Sequence, residues 1–163
     1  MSKRSWAWWC VMLATVVGFS ARAQEPECAV RPGDEVAVTD TLRTMYAAAT
    51  ADDLAKFNSV RTAGFYAYAN GTRFDGDALM KLVMDFHAKG VKFVWTVTKP
   101  EVHVRCNEAW IAYVNNGSIQ MNASEAPMPM SWLESAVLER QNGVWKLQFF
   151  HSTRVETEAK AAH

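Results

Sequence analysis

A histidine closes an aromatic row near the end of this 163-residue chain. The segment Asn142-Gly143-Val144-Trp145-Lys146-Leu147-Gln148-Phe149-Phe150-His151-Ser152 opens with an Asn-Gly turn and reads as a strand. Side chains alternate faces along a strand. Trp145, Leu147, Phe149 and His151 are therefore predicted to share one face, with Lys146, Gln148 and Ser152 on the other. A neutral imidazole at the end of an apolar row can take a proton from a carbon acid or orient a carbonyl. The plainer alternative is a core histidine bonded to a carbonyl or a tyrosine. Glu134 is the second candidate. If Trp132 faces inward, so does Glu134, and a carboxyl in an apolar hole is raised in pKa and suited to acid–base work. If Leu133 and Val137 face inward instead, Glu134 is a surface acid. Both faces of its strand carry apolar residues, so the parity stays open. Tyr66 shares a strand face with Tyr68 and could donate a hydrogen bond to a ligand, or pack at a sheet edge.

Four aromatic residues, Trp95, Tyr113, Trp132 and Phe149, fall on strand segments where they could line a pocket or fill a core. His87 closes a helix, where a cation is favoured at the C-terminus. His103 follows a proline break and could take either face. Met121, Met128 and Met130 are soft donors of the kind Cu(I) accepts, but no histidine lies close and methionine is common filler. No Gly-rich phosphate loop, nucleophile elbow, His-Glu-x-x-His helix or zinc pattern occurs, so no cofactor and no metal is expected.

The elements that must position these residues follow from periodicity. Pro32-Gly33-Asp34 sets up a helix with Asp34 as N-cap, and Val38, Leu42, Met45, Tyr46 and Ala49 recur at helical spacing. Thr50-Ala51-Asp52-Asp53 fits a capping box for a second, short helix burying Leu54 and Phe57. Asn70-Gly71 then joins two short strands as a hairpin. Asp75-Gly76-Asp77 caps a third helix whose stripe is Leu79, Leu82, Val83 and Phe86, with Gly90 ending it. From Phe93 the period switches to two. Long strands are expected around Phe93–Val104 with an irregularity at Pro100, then Trp110–Val114, Trp132–Arg140 and Val144–Arg154, with a long loop or frayed hairpin tip over 115–131. Helices gathered before a run of strands imply an α+β domain.

The N-terminus reads as a signal peptide over residues 1–23: Lys3 and Arg4, an apolar run from Trp6 to Phe19, then Ala21-Arg22-Ala23. The run is short for a membrane span, so no stable anchor is expected after cleavage, and the destination is the periplasm or the outside of the cell. Loss of Lys3, Arg4 and Arg22 leaves 14 basic against 17 acidic residues. No basic run remains, which argues against nucleic acid as a partner. Cys28 and Cys106 remain as a candidate disulfide, stabilising by about 4 kcal/mol in the chain-entropy model. Residues 24–33 read as a tether, 34–155 as the domain and 156–163 as a polar tail.

The order and spacing of these motifs resemble the nuclear transport factor 2-like superfamily and, within it, the SnoaL-like and ketosteroid isomerase-like exported proteins of bacteria. The likeness is carried by the Thr50-Ala51-Asp52-Asp53-Leu54 junction, the Phe65 strand with its Asn70-Gly71 turn, Gly76 ahead of the third helix, and the closing hairpin through Gly143-x-Trp145-x-Leu147 to His151-Ser152. The resemblance implies a cone-shaped, cystatin-like α+β fold, with about three N-terminal helices on a curved antiparallel sheet that encloses a pocket. It implies three roles: binding of a small apolar or amphipathic molecule, cofactor-free lyase or isomerase chemistry with His151 as base, or a structural homodimer module with Phe150 in its seam. Fold alone does not choose among them.

Overall fold

The computed structural model describes residues 30–155. The expected signal peptide, Cys28 and the polar tail lie outside the described residues. Helix α1 spans Asp34–Thr50 and α2 Leu54–Ser59. Strands β1 (Arg61–Ala69) and β2 (Thr72–Asp75) precede α3 (Gly76–Ala88). Four long strands follow: β3 (Lys92–Arg105), β4 (Glu108–Gln120), β5 (Met128–Gln141) and β6 (Val144–Arg154). They form one six-stranded sheet in the order β2-β1-β6-β5-β4-β3. The architecture is the expected α+β one, with a correction to the pairing: β1 runs parallel to β6, and only the other neighbours are antiparallel.

Local chemistry sets the boundaries. Asn70-Gly71 and Asn142-Gly143 both take positive φ, as a two-residue hairpin turn requires. Asp75 caps α3 by accepting from the Ala78 N–H at 2.8 Å. Asp53 caps α2 itself, accepting from the Lys56 N–H at 2.8 Å, so the expected Thr50 box does not form. Thr50 instead ends α1. The β4–β5 hairpin is longer than expected, with Ile119 paired to Met128, so the loop shrinks to residues 121–127. Gly117 is required where it stands: a Cβ there would lie 1.8 Å from the Val94 carbonyl oxygen. Its bare backbone lets β3 and β4 close together opposite Trp95.

The core lies between α1 and the inner face of the sheet. Leu42 and Val38 meet Ile111, Leu138 and Leu147, all fully buried. Each such side chain contributes roughly 1.5–3 kcal/mol by leaving water. One end of α1 is fixed by charge. Gly33, not Asp34, is the N-cap. The Asp34 carboxylate instead accepts from the Arg31 N–H at 2.6 Å, Trp145 Nε1 at 3.1 Å and the Arg140 guanidinium at 2.5 Å. Burial works to raise the Asp34 pKa, but these donors outweigh it and hold the carboxyl below its usual range. Arg140 also lies over the Trp145 ring, 4.5 Å from its centroid. Removing either partner of a buried pair like this typically costs about 3–5 kcal/mol.

Candidate functional site

The strict alternation predicted for β6 breaks in its middle. Leu138 pairs with Leu147, but the next step along β5, Val137, pairs with Phe149. Gln148 is the extra residue of a bulge, and a bulge flips the faces beyond it. Trp145 and Leu147 point into the core as expected, but so then do Phe150 and Ser152. Phe149 and His151 are carried to the outer face. This corrects three expectations. His151 is exposed on the outer face, near Thr153 and away from the enclosed space. Phe149 packs outside against Tyr66, at 5.1 Å between rings, and lines no part of the inner cavity. Phe150 is core rather than seam. Tyr66 also lies outside, beneath the Arg73 guanidinium at 4.7 Å. It cannot join Glu134 across the sheet.

Glu134 resolves the other way. Trp132, Glu134 and Ala136 face inward, while Leu133 is exposed. Glu134 keeps only 6% of its surface. Its Oε1 accepts from Ser152 Oγ at 2.7 Å. Its Oε2 accepts from the Tyr46 hydroxyl and from Asn115 Nδ2, the latter at 3.0 Å. Tyr46 gives its one proton to Glu134, so Tyr113, 2.9 Å away, donates to Tyr46. The Asn115 amide is turned by its own bond, accepting from the Thr96 N–H at 2.8 Å. Four elements thus converge on one carboxyl: α1, β4, β5 and β6. Desolvation raises the Glu134 pKa against the opposing pull of its donors. Burial, with the Glu134 charge adding to it, also pushes Tyr46 well above the usual phenol range. Burial raises Tyr113 likewise, helped by Tyr46 and Glu134.

This cluster forms part of the wall of a cavity of about 270 Å³ between α1, α3 and the sheet. The lining is mostly apolar: Met45 from α1, the Leu79, Leu82, Val83 and Phe86 stripe of α3, and Trp95, Trp132 and Phe150 from the sheet. Of α3, only Gly76 and Met80 are buried, while Leu79 and Val83 pack partly on the core and, with Leu82 and Phe86, line the cavity. Trp95 stacks on Phe93 at 5.1 Å and leans on Tyr46 at 5.5 Å. Tyr113 sits behind Tyr46, outside the lining. Of the seven residues that the sequence offers for catalysis or ligand binding, Trp95, Trp132 and Glu134 come together here, with Tyr113 one bond away. His151, Tyr66 and Phe149 do not.

Tyr46, Asn115, Ser152 and Arg154 were missed. Tyr46 read as one more apolar position in the α1 stripe. Asn115 did carry a signal: it extends the inward series Ala109, Ile111, Tyr113, where an amide is out of place. Ser152 and Arg154 were hidden by the bulge. Among the described residues, no three His, Cys, Asp or Glu side chains gather as a metal site would need. No helix among them is long and apolar enough to cross a membrane.

Comparison with known proteins fits this geometry. Three solved structures are similar at the level of fold. A protein of unknown function with a cystatin-like fold from Nostoc punctiforme shares 8% identity over 78% of this chain and 96% of its own, with a TM-score of 0.67. A ketosteroid isomerase-like protein from Erwinia carotovora atroseptica shares 12% over 78% and 100%, with a TM-score of 0.63. The association domain of C. elegans CaMKII shares 16% over 71% and 92%, with a TM-score of 0.60. No curated protein matches the sequence. The fold is that of the nuclear transport factor 2-like proteins. Residues 38–154 match the model of the SnoaL-like domain, and the chain belongs to that family.

Proposed function

We propose that this protein binds a small, largely apolar molecule in the cavity between α1, α3 and the sheet, oriented by the polar groups of the wall. The supporting observation is a small set of polar groups in a mostly hydrocarbon wall. Such a wall supplies affinity, and a few fixed polar groups supply orientation. Trp95 and Trp132 line the cavity, so an occupant changes their fluorescence. Titration with a panel of apolar alcohols and ketones is expected to quench it and to raise the melting temperature. Trp95→Ala together with Trp132→Ala should remove the fluorescence response. A panel that alters neither signal would sink the reading.

A second reading is acid–base chemistry on the bound molecule, with Glu134 in the role first considered for His151. It is favoured by the raised pKa of a carboxyl that reaches the cavity. Glu134→Gln would then keep ligand binding and lose turnover.

We also propose export to the periplasm or the outside, and a Cys28–Cys106 bridge. The basic, apolar and Ala-x-Ala segments of residues 1–23 and the presence of two cysteines, Cys28 and Cys106, beyond them support this. Intact mass on exported protein should show the chain beginning at Gln24. Thiol counting after denaturation should find no reactive thiol, and two would refute the bridge.

A self-associating form is the remaining proposal. Leu133 and Trp110 are exposed on the outer sheet face, at 56% and 48%. Likeness to an association domain supports a second copy of this chain as the occupant of that face.

A further inference from the structure

The cavity is not evenly polar. Its hydrogen-bonding groups gather toward one side: Tyr46, Glu134 and Ser152 inside, then Asn70 and Arg154. Ser152 pairs with Glu134 in register, and Arg154 pairs with Trp132. Arg154 therefore projects from the same face of β6, about 7 Å farther along the strand than Ser152. It is exposed, as are Asn70, Phe86 and Met121 among the lining residues, and these mark where the cavity opens.

Arg154 makes no ion pair with any described carboxylate, although Glu134 lines the same cavity. Glu134 is already engaged on both oxygens by Tyr46, Asn115 and Ser152. Among the described residues, the acid and the cation that line the cavity thus form no pair with each other. A guanidinium at the mouth of a hydrocarbon-walled hole attracts an anion and can hold a carboxylate through two parallel N–H donors.

We infer that the ligand is an anionic amphiphile, an apolar body carrying a carboxylate or similar acid head, with the body among the aromatic and aliphatic walls and the head on Arg154. This deepens the cavity-binding reading and rests on it. A volume of about 270 Å³ lies near the low end of small-molecule sites and suits a medium-length chain or a compact ring system.

The test compares decanoate, decanol and decyltrimethylammonium at neutral pH, below their micellar concentrations, by tryptophan fluorescence and calorimetry on the exported chain. Decanoate is expected to bind more tightly than decanol by about tenfold, the size of one charge-assisted hydrogen bond. The cation is expected to bind least. Added salt should narrow the gap between decanoate and decanol without touching decanol. Arg154→Gln should bring decanoate down to the level of decanol. The salt series needs no variant and stands even if that protein folds poorly. If decanol binds as well as decanoate and salt has no effect, the acid-head inference falls while the cavity reading survives. If none of the three binds, both fall.

Discussion

At the scale of single residues, Glu134 decides most. Its two neighbours along β5 are exposed and half-buried, yet it sits under a phenol, an amide and a hydroxyl. The sign of its effect on stability follows from its raised pKa. As pH rises past the ordinary carboxyl range, the unfolded chain releases this proton before the folded one does. The folded state then binds more protons, and its stability from this group falls until the raised folded pKa is passed. Glu134→Gln has no such slope. Melting curves between about pH 4 and about pH 8 should therefore show the variant gaining on the parent as pH rises. A constant difference across that range would mean that Glu134 ionises normally in the fold. Residue types alone could nominate Glu134, because an acid two places from an inward tryptophan shares its face. They could not say which face that was. Parity depended on what α1 brought to the sheet, and Tyr46 gave no hint in a helical stripe that any large apolar side chain would satisfy.

At the scale of elements, the bulge in β6 explains both the successes and the errors of pattern reading. Up to Leu147 the period of two is obeyed, and Trp145 and Leu147 are buried as expected. Beyond Gln148 every side chain takes the face opposite to the one predicted. No glycine or proline marks that position, so the sequence offers no punctuation there. Pro100 in β3 did advertise its irregularity, which the structure places between Thr98 and Glu101 with Lys99 at positive φ. The starts of α1 and α3 were legible to within a residue, because aspartates and glycines mark them, whereas the cap of α2 is Asp53, three residues beyond the expected Thr50. Deleting Gln148 removes the extra residue and leaves Phe150 and Ser152 inward in a strictly alternating strand. The variant is expected to keep a cooperative melt, within about 2 kcal/mol of the parent. Loss of the cooperative melt would show that the bulge itself is needed to seat β6 in the sheet.

At the scale of the whole molecule, one sheet serves two surfaces. Its inner face closes the core and the cavity, and its outer face carries Tyr68, Trp110 and Leu133 into solvent. The general plan of helices laid on a bent sheet was readable from the order of periodicities. The parallel contact of β1 with β6 was not, since it joins segments far apart in sequence through no turn. In a two-fold pair the same patch meets itself, so a charge at its centre would face a like charge. Leu133→Glu should convert a dimer to a monomer in light scattering at micromolar concentration, with the fold intact by circular dichroism. A parent protein that is already monomeric there would dispose of the self-pairing proposal.

The third helix carries a consequence beyond its lining role. Leu79, Leu82, Val83 and Phe86 border the cavity, although Leu79 and Val83 also pack on the core. A guest molecule adds packing on the cavity side, acting as a removable piece of the interior. Capture of the guest and tightening of α3 then become one event, and amide exchange along residues 79–86 should slow together when the guest arrives.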